Sequence, residues 1–104
     1  GRPILEATQE GLVLGVTQPG QPPLFIEWDV LKGADVGYAG KKGPRRDDPL
    51  CLIVRFAGNR VTQPKELIGV HHSTKGAIYL RASHLSQPAR AVAERLNSLR
   101  KEYA

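Results

Sequence analysis

The sequence predicts a segregated α+β domain, with six or seven short, mostly antiparallel strands followed by one C-terminal amphipathic helix. Three observations lead there. Apolar residues alternate with period two in several short runs, the mark of strands that bury one face. Eleven Gly and eight Pro are scattered along the 104 residues rather than pooled in a linker, so they punctuate many short elements. From Ala89 onward the apolar spacing changes to the helical period. Long crossovers between the strands are lacking, which favours antiparallel pairing.

Taken in order, Ile4–Thr8 is a first strand ending in a tight turn at Gln9-Glu10-Gly11. Leu12, Leu14 and Val16 alternate with Val13 and Gly15, and Leu24, Ile26 and Trp28 alternate with Phe25 and Glu27, giving two further strands with Trp28 on the core side. The stretch between them carries Pro19-Gly20, where proline presets φ for the first turn position and glycine takes the positive φ that a type II turn needs, so the pair reads as a hairpin. Val30, Leu31, Val36 and Tyr38 are interrupted by Gly33, Gly37 and Gly40, a pattern that fits a bent or edge strand over Ala34–Ala39. Leu50–Phe56 is the strongest strand: Leu50, Leu52, Val54 and Phe56 share one face, and Cys51 and Ile53 make the other apolar too, which places it centrally. Pro64–Lys75 reads as a short helix or an irregular crossover, and Ala77–Ala82 as the last strand.

The helix rests on the firmest pattern. Ala89, Val92, Ala93, Leu96, Leu99 and Tyr103 fall on one stripe, Ser86 suits the N-cap, Pro88 the first turn, and Arg100-Lys101 the negative pole of the dipole. The expected length is about 17 residues, roughly 25 Å.

Charge divides unevenly. The net +5 resolves into −3 over residues 1–40, where Arg2 and Lys32 face Glu6, Glu10, Glu27, Asp29 and Asp35, and +8 over the remainder. The lone Cys51 excludes an internal disulfide and fits a reducing compartment, so a cytoplasmic location is expected. No run approaches the ~20 apolar residues of a membrane-spanning helix. Residues 1–104 read as one domain, and Gly1 in place of an initiator Met marks it as a piece of a longer parent.

The order Ile4-Leu5-Glu6, Gly11-Leu12, Ile26-Glu27-Trp28-Asp29-Val30, Ile78-Tyr79-Leu80 and a closing helix after Leu85 resembles the bacterial pleckstrin-homology-like domains, over nearly the whole chain. The resemblance implies a strongly bent antiparallel sheet or split barrel of about seven strands capped by the C-terminal helix. It also implies a docking role toward proteins or anionic lipid surfaces, in a parent linked to a membrane. Where eukaryotic relatives use a basic first hairpin loop for phosphoinositides, this chain has Gln9-Glu10-Gly11.

Among chemistry-bearing features, the loop Lys41-Lys42-Gly43-Pro44-Arg45-Arg46 gathers Lys41, Lys42, Arg45 and Arg46 as a candidate anion-binding set, with Asp47 and Asp48 following to offset it. It is no P-loop: Asp35 stands where the first glycine belongs and Lys42 where Ser or Thr should follow the lysine. His71, His72, His84 and Cys51 lack metal-ligand spacing, and neighbouring His71 and His72 would point to opposite faces of a strand. No nucleophile elbow or paired carboxylate arrangement is present. No catalytic residue, metal or cofactor is expected. Tyr79 and Arg81 beside Arg55 could form a mixed aromatic and cationic sheet face of the kind that binds single-stranded nucleic acid. The expected function is therefore a non-enzymatic binding or adaptor module, with a small basic nucleic-acid-binding domain as the alternative.

Overall fold

The computed structural model describes residues 3–38 and 48–104. Seven strands and one long helix occur among them: β1 (Leu5–Ala7), β2 (Gly11–Leu14), β3 (Leu24–Glu27), β4 (Leu31–Tyr38), β5 (Leu50–Phe56), β6 (His72–Thr74), β7 (Ala77–Arg81) and α1 (Ala89–Tyr103), with a 3-10 turn at Ala82–His84 before the helix. Every ladder is antiparallel.

The strands form neither one continuous sheet nor a single closed barrel but two antiparallel sheets, ordered β1-β2-β3 and β4-β5-β7-β6, with the helix C-terminal to both as expected. The break falls between β3 and β4. The chain turns tightly there, Val30 N–H donating to Glu27 O at 2.9 Å. β4 then pairs with β5, and its outer edge meets α1 rather than β3. Pairing over such a distance in sequence leaves no local signature, which is why alternation alone could count strands and not partition them.

β5 has the bounds expected from its alternation and lies centrally between β4 and β7. β4 begins three residues earlier than Ala34. Its register slips between Leu31 and Gly33, where Gly33 adopts φ 155°, and this bulge turns both Leu31 and Ala34 toward the core. The region 64–75 is an irregular crossover that ends in β6, whose three residues are all exposed and so carry no apolar alternation. Ser86 does not cap α1: the cap position belongs to Pro88, whose carbonyl accepts from Val92 N–H at 3.1 Å, and α1 has 15 residues. Proline disfavours helical backbone in the residue before it, so Gln87 and Ser86 stay outside the helix.

One core fills the space between the sheets and α1. Leu12, Leu14, Leu24 and Ile26 contribute from the first sheet, Leu52, Val54, Phe56, Ile78 and Leu80 from the second, and Ala89, Ala93 and Leu96 from the helix. Each large side chain fully removed from water contributes about 1.5–3 kcal/mol, so this interior rather than propensity holds the short strands together.

α1 also shields the free edge of β4. Asn97 Oδ1 accepts from Ala34 N–H and Asn97 Nδ2 donates to Ala34 O, each at 2.9 Å, so one side-chain amide mimics a neighbouring strand. Arg100 Nε donates to Leu31 O at 2.6 Å a turn further on. An edge left open would be a template for pairing with other chains.

Candidate functional site

The basic set Lys41, Lys42, Arg45 and Arg46 lies outside the described residues. The structure instead draws attention to the outward side of β3, an edge strand with β2 as its ladder partner. Its burial alternates: Leu24 and Ile26 face the core, while Phe25 and Glu27 face out, leaving Phe25 43% exposed.

Two clefts meet at Phe25. The first, about 450 Å³, is walled by the β1–β2 turn (Gln9, Glu10), by Phe25, Glu27, Trp28 and Asp29, and by Tyr103 from the last turn of α1. The second, about 350 Å³, runs from Pro22-Pro23-Leu24 to the segment from Arg60 to Pro64. Arg60 connects them: Nη2 stands 3.4 Å from Asp29 Oδ2, between two half-exposed side chains.

Local chemistry builds the first cleft. Thr8 Oγ1 donates to Gly11 O at 3.0 Å and closes the β1–β2 turn, holding Glu10 at the rim. At Gly11 a Cβ would collide with Ile26 O and lie 2.9 Å from the Phe25 ring, so the missing side chain is what leaves room for that ring beside Gly11. Trp28 is 2% exposed and donates its indole N–H to Thr8 O at 2.8 Å. Tyr103 stacks on it, ring centroids 6.2 Å apart at 25°, and is itself 41% exposed. The floor is therefore aromatic, and the rim carries Glu10, Glu27 and Asp29. Such a cleft can stack a planar group and accept hydrogen bonds from a cationic one.

The other features singled out in the sequence fall elsewhere. β5–β7 register sets Arg55 opposite Ala77, Ile53 opposite Tyr79 and Cys51 opposite Arg81, so Arg55, Tyr79 and Arg81 do share the outer face of the second sheet. Arg55 there is engaged with Asp35 at 3.4 Å, and His72 meets the Tyr79 ring edge-on at 5.3 Å. Cys51 is fully buried on that same face, its Sγ 3.7 Å from Pro49 O. Burial pushes its thiol up, and the Arg81 guanidinium pulls it back in part. Among the described residues no three His, Cys, Asp or Glu side chains are grouped as ligands to a metal. No helix among them is long and apolar enough to cross a membrane.

Sequence reasoning missed the cleft because its walls come from positions 9–10, 25, 27–29 and 103. Two signals bear on it in retrospect: the acidic balance of residues 1–40, and Tyr103 at the end of the helical stripe. Compared with protein families, with characterised proteins and with solved structures, the chain finds no match in any of the three.

Proposed function

We propose that this chain is a non-enzymatic binding module that docks a segment of another protein along β3. In this reading it is pleckstrin-homology-like in build and is the cytoplasmic, soluble piece of a bacterial, membrane-linked parent. One observation carries the proposal: an edge strand with exposed Phe25 is flanked on both sides by clefts that share that ring. An extended peptide added to such an edge gains main-chain hydrogen bonds for affinity and side-chain pockets for specificity. Seven short strands closed by a C-terminal helix accord with the resemblance in the sequence.

The test is selection of displayed random dodecapeptides against the intact chain, followed by affinity measurements on wild type and Phe25→Glu. The module reading expects enriched peptides that lose roughly tenfold or more in affinity on that substitution, with the far-UV spectrum unchanged. Enriched peptides indifferent to Phe25 would contradict it.

The nucleic-acid reading keeps a place through the outer face bearing Arg55, Tyr79 and Arg81. Its signature is oligonucleotide affinity that falls steeply with salt and drops on Arg81→Ala.

A further inference from the structure

We infer that the cleft between the β1–β2 turn, β3 and the end of α1 receives an arginine side chain from a basic segment of the partner. The inference rests on the protein-docking reading above and names the chemistry of its occupant.

The argument begins with charge. In a chain of net +5, three of the seven residues that line this cleft, Glu10, Glu27 and Asp29, are acidic. Among the described residues, Asp29 has Arg60 as a counter-ion, whereas neither Glu10 nor Glu27 is engaged in an ion pair. The walls are equally unusual. Of the five large apolar side chains that stand exposed among the described residues, Phe25 and Tyr103 both line this cleft. Aromatic surface and negative charge at one place favour a cation that can use both.

The geometry discriminates between cations. A quaternary ammonium has no N–H to offer Glu10 or Glu27, and the most electron-rich ring, Trp28, is 2% exposed beneath Tyr103, so no cage of open aromatic faces exists. An ammonium of lysine has donors but no plane to lay against Phe25 or Tyr103. A guanidinium has both: a flat face that stacks and five N–H groups in a fork that fits carboxylates. The fold already brings a guanidinium to this rim, since Arg60 reaches across from the second cleft to Asp29. The partner's arginine takes the remaining carboxylates, Glu10 and Glu27, and its backbone continues along β3 toward the second cleft.

The experiment titrates the intact, 15N-labelled chain with the acetylated, amidated pentapeptide Gly-Arg-Gly-Arg-Gly and with its citrulline counterpart, a neutral isostere. Because the net charge repels cationic peptides at long range, binding of the arginine form reports a local acidic site. Expected are shifts of the Trp28 indole N–H and the Gly11 and Glu27 amides. Affinity is expected to be roughly tenfold weaker for the citrulline peptide and for the double variant Glu10→Gln/Glu27→Gln, with Glu94→Gln on the exposed side of α1 behaving as wild type. Equal binding of the two peptides, or an equal loss in Glu94→Gln, would overturn the inference. So would self-association abolished by Glu10→Gln/Glu27→Gln, which would make a second copy the occupant. If displayed peptides lacking arginine bind in a Phe25-dependent way while the pentapeptide does not, the docking function stands and the arginine occupant falls; if no peptide binds, both fall.

Discussion

Replacing Asn97 with alanine removes the side chain that stands in for a missing strand beside β4. Both of its hydrogen bonds go to Ala34, at 2.9 Å each, and Ala34 is 4% exposed, so the substitution orphans one N–H and one C=O that water reaches poorly. An orphaned buried polar group costs about 1–3 kcal/mol, and the half-buried setting of Asn97 puts each group near the lower end. Alanine returns roughly 0.5 kcal/mol through better helix propensity. The expected net loss is about 2 kcal/mol, which lowers the thermal midpoint of a domain this size by roughly 10 °C. Urea unfolding followed by fluorescence of Trp28, the single tryptophan and a core residue, reads the change directly. Asn97→Leu, which keeps the branched skeleton but makes neither bond, is expected to lose at least as much, while the exposed neighbour variant Ser98→Ala stays within about 0.5 kcal/mol of wild type. An Asn97→Ala protein as stable as wild type would refute the reasoning and leave α1 held by its apolar stripe and the Arg100–Leu31 hydrogen bond.

Leu96→Ala, at a helix position 1% exposed in the shared core, should destabilise by about 2–5 kcal/mol in the same unfolding assay. Gly11→Ala sets a Cβ against Ile26 O and 2.9 Å from the Phe25 ring, so both stability and Phe25-dependent peptide binding should fall, whereas Gly20→Ala, with nothing within 4 Å but φ +88°, should cost stability alone. Cys51 should resist thiol reagents in the native state and react on unfolding. Because burial raises its thiol pKa, the folded chain holds that proton more tightly than the unfolded one. The stability contribution is full below the unfolded thiol's range and is lost as pH rises. The difference in unfolding free energy between wild type and Cys51→Ala should therefore shift against wild type between about pH 7 and about pH 10.

What could be read in the sequence was whatever depends on near neighbours. The alternation of Leu50–Phe56 fixed a central strand, and the stripe from Ala89 to Tyr103 fixed the helix, because in each case burial of one face sets the pattern. The start of β4 was hidden by a bulge that breaks period two at Gly33, and β6 by the exposure of all three of its residues. Ser86 looked like a cap because its side chain suits the role, but Pro88 decides where helical backbone begins. The division into two sheets is a long-range fact, set by which edge α1 covers. The same distinction holds for function. Four cations within six residues announce themselves at Lys41–Arg46, whereas a cleft assembled from Glu10, Phe25 and Tyr103 exists only after folding.

The most direct test of a docking edge at β3 is an amide-shift map of the intact chain bound to a display-selected peptide. The expected map centres on Gln9–Gly11, Phe25–Asp29 and Tyr103. A map centred on Arg55, Tyr79 and Arg81, with β3 silent, would contradict it.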